Sequence, residues 1–405
     1  MKLFSLFLFI LINILFVLSK NEKLLIKQQL PEENLTTPEI IEYWGYNCQV
    51  FNVTTEDGYI LELHRIPNGK NSLKNIKENK PVIFLQHGLL ASSADWITNL
   101  PHQSLGFLLA DAGFDVWLGN VRGNFYSSKH KKYSKNDARY WDFSWDEMSS
   151  KDLPAMIDKA LSISGQSKLY YVGHSQGTEI MFCLLSNNPK YAKKIKKFFA
   201  LAPVASVKHI KGLFAIIGKL FGKHLEVLIR FFGSREFLPH NWASEIFAKM
   251  ICGQKWENPL CDNILFLIGG PESSQFNQTR LMIYLTHEPA GTSTKNIVHW
   301  AQMQQSGLVQ KFDYGTGREN HLHYGQNIPP IYNLNKINVP IYLYYSDKDW
   351  LATTKDIENT IFQKIPKKFI KVAKKLPNFN HFDFLWGLDA PDKIYNEIIL
   401  EAKEN

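Results

Sequence analysis

Gly173-His174-Ser175-Gln176-Gly177 follows the short apolar run Leu169-Tyr170-Tyr171-Val172 and precedes Thr178 to Leu185, a stretch able to form a helix. The pattern reads as a nucleophile elbow, in which a serine sits on a sharp strand-to-helix turn at strained backbone angles. Glycines flank it two residues away on either side because bulkier neighbours would not fit. Such a turn lifts the serine oxygen to the top of a sheet, within reach of a base. The pentapeptide alone arises by chance in long chains, so its weight comes from the strand before it and the helix after it.

Outward from the elbow, apolar runs alternate with helical patterns. Asn52 to Ile66 alternates around Glu56-Asp57-Gly58, as in an antiparallel hairpin. Pro81-Val82-Ile83-Phe84-Leu85 reads as a buried strand followed by the loop Gln86-His87-Gly88-Leu89-Leu90. Leu105 to Ala112 and Ser149 to Ile163 read as helices, and Phe114 to Leu118 and Phe198 to Ala202 as strands. This predicts an α/β fold with a doubly wound, mainly parallel sheet. The alternation stops near residue 206 and resumes at Val339 to Tyr345. Between them lie apolar helical stretches, including Ile210 to Leu220 and Leu225 to Phe232, which form a candidate cap over the carboxyl ends of the strands. The plainer alternative is a second structural layer with no gating role.

The chain has 405 residues, 45% hydrophobic and 13% aromatic, enough for one large core with an insertion. Behind Met1-Lys2, Leu3 to Leu18 contains only Ser5 and Asn13 as polar residues. A span this short predicts a secretory signal over residues 1–19 rather than a membrane helix, and no later segment is long and uncharged enough to cross a bilayer. Sequons at Asn34, Asn52 and Asn277 agree with that route. Of the four cysteines, Cys252 and Cys261 are the expected disulfide, close in sequence in a stretch containing Gly and Pro, whereas Cys48 and Cys183 are expected to be unpaired. The formal charge of +8 is concentrated in lysine clusters at Lys190 to Lys197 and Lys364 to Lys375, interleaved with apolar residues as on solvated helix faces. It gives at most a weak attraction to anionic lipid surfaces and does not indicate a nucleic-acid partner.

A serine hydroxyl becomes a nucleophile only when a base takes its proton, and the base needs a carboxylate to hold its tautomer. In hydrolases built around this elbow the chain order is serine, acid, histidine. Of the thirteen histidines only His381 follows the last strand, in the polar-aromatic loop Asn378-Phe379-Asn380-His381-Phe382-Asp383. After the strand Ile341 to Tyr345 two aspartates compete, Asp347 and Asp349, with loop position slightly favouring Asp349; either is also suited to cap the helix that starts near Thr354. Two backbone N–H donors are needed for the oxyanion, one from the residue after the nucleophile, Gln176, and one from the loop after an earlier strand, for which Leu89 is the candidate. Metal-ligand spacings, phosphate loops and dinucleotide fingerprints are missing from the sequence, so no metal or cofactor is expected.

With these residues in view, the chain resembles the acid lipase family of gastric and lysosomal acid lipases, an α/β-hydrolase fold with a helical cap and lid insertion. The matching stretches are Glu56 to Leu61, Leu85 to Ser93, Ala110 to Asn120 with Arg122-Gly123-Asn124, His174 to Gly177, Pro289 to Ser293 and His381 to Trp386. The resemblance implies hydrolysis of triacylglycerols or sterol esters at acidic pH, at a lipid–water interface. It places the nucleophile on Ser175, the base on His381, the acid on Asp349, the oxyanion donors on Leu89 and Gln176, and the family's disulfide on Cys252 and Cys261. It divides the chain into a signal at 1–19, core segments at 20–205 and 334–405, and a cap and lid at 206–333, in a secreted or lysosomal protein. Two departures stand out: Ile268-Gly269-Gly270 lacks a cysteine found in several members, and Ser346-Asp347-Lys348 replaces a glycine-rich turn. Two other functions are compatible with the residues: a lipid-binding protein that has lost catalysis, and an esterase for small soluble esters.

Overall fold

The computed structural model describes residues 30–71, 80–221, 235–238 and 265–404. The expected signal, the helix Leu225 to Phe232 and the pair Cys252 and Cys261 lie outside them. Cys48 and Cys183 are free thiols, Cys183 fully buried in the helix after the elbow.

The strands are β1 (Gln49–Thr54), β2 (Tyr59–Ile66), β3 (Val82–Gln86), β4 (Asp115–Gly119), β5 (Lys129–His130), β6 (Leu169–His174), β7 (Ile195–Leu201), β8 (Glu236–Phe237), β9 (Thr292–Ser293), β10 (Ile341–Tyr345) and β11 (Ile370–Lys375). The main sheet runs in the order β1-β2-β4-β3-β6-β7-β10-β11, with β5 beside β2. β1, β2 and β4 pair antiparallel, and from β4 to β11 every pairing is parallel. Every residue of β3, β4, β6 and β10 is buried, as expected where a parallel sheet is covered on both faces. The edge strands β1 and β11 instead alternate half-buried and exposed positions.

The expected hairpin is formed by β1 and β2, with Gly58 at φ +102° in its turn. The helix Leu153–Ser164 packs on β1, β3 and β4, Gln176–Asn187 on β6, and Leu105–Asp111 on β2 and β4. The expected helix from Ser149 lies within a longer helical run that begins at Trp145, in which Met148–Asp152 forms a wider turn ahead of the regular helix Leu153–Ser164. The lysine clusters also differ from expectation. Lys194 to Lys197 run into β7, and Lys371, Lys374 and Lys375 belong to the edge strand β11 rather than a helix. Charged side chains on an edge discourage pairing with another sheet, which accounts for the pattern equally well.

Between β7 and β10 the described residues hold the helices Gly212–Phe221, Leu281–His287, Thr294–Ser306 and Gly317–Tyr324 and the two-stranded ribbon β8–β9. Among the described residues no helix is long and apolar enough to cross a membrane.

Candidate active site

Ser175 sits between β6 and its helix at φ +52° and ψ −122°, a conformation an L-residue holds only when its surroundings enforce it. Two close approaches do so. A Cβ on Gly173 would stand 2.7 Å from Gly177 O, and one on Gly177 would stand 2.4 Å from Gln86 O and 2.8 Å from His87 O. The elbow glycines are therefore required by contact, and Gly177 presses the start of the helix onto the end of β3. The same packing brings the β3 loop to the serine, since a Cβ on Gly88 would lie 3.1 Å from Ser175 Cβ.

The first-turn N–H groups of a helix have no intrahelical acceptor and carry its positive end. Thr178 and Glu179 give theirs to Ser175 O; that of Gln176 starts the helix beside the serine. The Gln176 side chain is fixed, its Oε1 accepting from Asn296 Nδ2 and Trp300 Nε1, each at 2.9 Å. It thereby ties the elbow to the helix Thr294–Ser306. In the β3 loop, His87 Nδ1 donates to Gly88 O at 2.8 Å and Nε2 accepts from Val121 N at 3.3 Å. Burial pushes its pKa down to about 4, so the ring is a neutral brace for the loop.

His381 Nδ1 stands 2.8 and 3.0 Å from the two carboxylate oxygens of Asp349. Asp349 Oδ1 also accepts the N–H groups of Leu351 and Ala352, each at 2.8 Å. His381 and Asp349 are almost wholly buried, Ser175 nearly so. Asp347, the rival acid, is exposed and engaged elsewhere, accepting from Thr354 Oγ1 at 2.7 Å and pairing with Lys375 at 3.0 Å. These two partners hold its carboxyl below the usual range. A histidine whose Nδ1–H is held by a carboxylate keeps Nε2 free to accept a proton, the arrangement a serine nucleophile needs.

Two groups that sequence reasoning passed over position this pair. His174 Nε2 donates to His381 O at 3.0 Å, joining the elbow to the base loop; its burial and the neighbouring imidazoles keep it well below the ordinary histidine pKa, hence neutral. Gly269 O accepts from both Trp350 N at 3.2 Å and His381 N at 3.0 Å, so one carbonyl holds the acid and base loops together. A Cβ on Gly269 would meet the Phe382 ring at 2.7 Å, and one on Gly270, at φ +128°, would meet Lys348 O at 2.0 Å. Alanine fits at neither position. The signal was the glycine pair itself, visible as a departure from the family but without a stated role.

Above Ser175 lies a cleft lined by Leu89, Val204, Val207, Ile210, Phe214, Ile297, Trp300 and Leu351, with Gln304 as the polar exception. Cleft and mouth together, open solvent included, hold about 680 Å3 of atom-free space. Its walls are drawn from the helices Gly212–Phe221 and Thr294–Ser306, and from the loops after β3, β7 and β10.

Comparison with known proteins agrees with this architecture. Residues 37–100 match the partial alpha/beta-hydrolase lipase region and residues 81–230 the alpha/beta hydrolase fold. The chain is 54% identical over 372 residues to lipase lipl-5 of Caenorhabditis elegans, covering 91% of this chain and 92% of that one. It is 46% identical over 375 residues to gastric triacylglycerol lipase of Homo sapiens, covering 93% and 92%. The chain belongs to the acid lipase family of the α/β-hydrolase fold. This lipase, a carboxylic ester hydrolase, shares its fold with a putative lipase from Sulfolobus solfataricus, at a TM-score of 0.58 with 14% identity over 94% of this chain and 98% of that chain.

Proposed function

We propose that this lipase hydrolyses neutral-lipid esters, triacylglycerols and sterol esters, through an acyl-enzyme on Ser175. The observation that carries the reading is the buried Asp349–His381 pair, tied through His174 to a serine held in strained elbow geometry under an apolar cleft. His381 Nε2 takes the Ser175 hydroxyl proton as Oγ bonds to the ester carbonyl carbon. The carbonyl oxygen becomes an oxyanion and receives the Gln176 and Leu89 N–H groups. Collapse breaks the bond to the alcohol oxygen, which leaves with the proton from His381. A water then repeats the sequence on the acyl-enzyme, releasing the fatty acid and the serine. The reaction needs no cofactor. Residues 206–333 act as cap and lid, and the apolar walls from the helices Gly212–Phe221 and Thr294–Ser306 receive the acyl chain.

Purified protein assayed on triolein and cholesteryl oleate from pH 4 to 8 tests the substrate. Fatty acid should be released from dispersed lipid, fastest in acid. Turnover of soluble esters with no increase above the solubility limit of tributyrin would instead make it an esterase of small substrates.

The same reading puts the chain in the secretory pathway, secreted or lysosomal, with a disulfide between Cys252 and Cys261. Asn34 and Asn52 are exposed, while Asn277 is half-buried and accepts from Thr279 N and Oγ1. Protein recovered from a secreting host should lose mass on treatment with an N-glycanase; an unchanged mass would contradict glycosylation at these sequons.

A further inference from the structure

Behind the loop that carries Leu89 lie two acids that the reaction described above does not use, Asp95 buried and Glu288 half-buried. Asp95 belongs to the short helical turn Ser93–Trp96, and Glu288 caps the end of the helix Leu281–His287. The Asp95 carboxyl lies against the Gly88 N–H, and that of Glu288 against the N–H groups of Ser92 and Ala290. Ala290 N in turn donates to Leu90 O at 2.5 Å. Residues 88–92 are thus strapped to residues 288–290 along their length, and Leu90 sits within the strap at φ +63°, a left-handed conformation that a leucine keeps only under constraint.

The two carboxyl groups are hydrogen-bonding neighbours of one another. Asp95 Oδ2 and Glu288 Oε1 are buried and receive no other donor. Carboxylate oxygens only accept, so facing carboxyl groups satisfy each other only when a proton lies between them. Among the described residues no cation forms an ion pair with either acid. The surrounding titratable groups are committed elsewhere. The His87 ring braces its own loop, and the His287 ring lies between the carbonyls of Ile283 and Leu35, 2.7 and 2.9 Å from its two nitrogens, with burial lowering its pKa. Arg280 serves Glu32 and Thr98 O, and the Tyr395 phenol donates to the carbonyls of Phe384 and Leu385.

We propose that Asp95 and Glu288 share one proton and act as positioning residues for the oxyanion loop, holding the Gly88–Leu89 backbone against Ser175 while that proton is bound. The inference rests on Leu89 as an oxyanion donor. Burial pushes the Asp95 carboxyl up to about 7, and burial together with the Asp95 charge pushes Glu288 well above the ordinary range. With folded-state values raised, the fold retains a proton that the unfolded chain gives up. The linked stability is complete below the unfolded value of about 4 and is lost as pH climbs toward about 7. Above that window two like charges face each other behind the loop, and the strap loosens.

The experiment compares wild type with Asp95→Asn and Glu288→Gln. An amide donates to the opposite carboxylate without needing a shared proton, and its carbonyl oxygen still accepts from the backbone. Turnover of p-nitrophenyl butyrate is measured from pH 4 to 9 and normalised to each protein's maximum, with Tm at every pH. The expected result is an alkaline limb of kcat displaced upward by about one pH unit or more in both variants. Normalised limbs that superimpose on wild type overturn the inference, including the case in which only Tm changes, the mark of a purely structural pair. Wild type that neither turns over the ester nor reacts at Ser175 overturns the reading of the site, and this inference with it. An active wild type with unmoved limbs in the variants overturns the inference alone.

Discussion

Ser175→Ala should lower kcat for ester hydrolysis by a factor on the order of 10^6, as removal of a serine nucleophile does elsewhere, with little change in Tm. The loss follows from chemistry: alanine has no Oγ to form the acyl-enzyme, and the cleft offers no substitute beside His381. Stability should survive because the strain belongs to the backbone. The φ of +52° is imposed by the close packing of Gly173 and Gly177, and alanine accepts it no worse than serine does. Some rate above the uncatalysed reaction should remain, since the oxyanion donors and the apolar cleft are untouched. Measuring kcat on an emulsified triglyceride together with Tm checks both halves; a loss of only tenfold would mean that another nucleophile acts.

Asp349→Asn should cost about 10^4-fold in kcat, the penalty of holding a histidine in the wrong tautomer. The geometry specifies how. Leu351 N and Ala352 N both donate to Asp349 Oδ1, so an asparagine would keep its carbonyl oxygen there and turn its NH2 toward His381 Nδ1. That nitrogen would then have to accept, which moves the ring proton to Nε2 and leaves no base facing the serine. Asp347→Asn makes the matching control. It removes only the charge that pairs with Lys375 in solvent, an exposed pair worth little, and kcat should stay within about twofold of wild type by the same reasoning. If the two substitutions exchanged their effects, the acid would be Asp347.

The contrast between these aspartates marks where sequence stops being informative. The elbow was legible because its constraints are local: an apolar strand, two glycines at fixed offsets and a helix. The core strands were legible for a similar reason, since burial on both faces of a parallel sheet leaves continuous apolar runs such as Val82–Gln86 and Ile341–Tyr345. His381 followed from chain order alone. The edge strand β11 was hidden because Ile370–Lys375 meets solvent on one face, and its alternating lysines resemble an exposed helix when read without a sheet. Choosing between Asp347 and Asp349 needed the third dimension, as both occupy one loop and only one turns inward. The Gly269 carbonyl, shared by Trp350 and His381, and the facing acids Asp95 and Glu288 join segments far apart in the chain. No spacing rule connects them.

The buried acids also show why pH belongs in any account of this lipase. Burial raises Asp146 to about 6 and both Asp95 and Asp383 to about 7. All three favour the protonated form in the fold, so each destabilises it as pH rises from about 4 toward those values.

The central claim is that Ser175 is an activated nucleophile driven by the His381–Asp349 pair. Its most direct test is labelling of the folded protein by a fluorophosphonate, with the modified residue located by peptide mass mapping. The predicted result is a single adduct on Ser175, formed in wild type and largely lost in His381→Ala and Asp349→Asn. Folded wild-type protein that takes up no label between pH 4 and 8, or takes it up at another residue, would contradict the account.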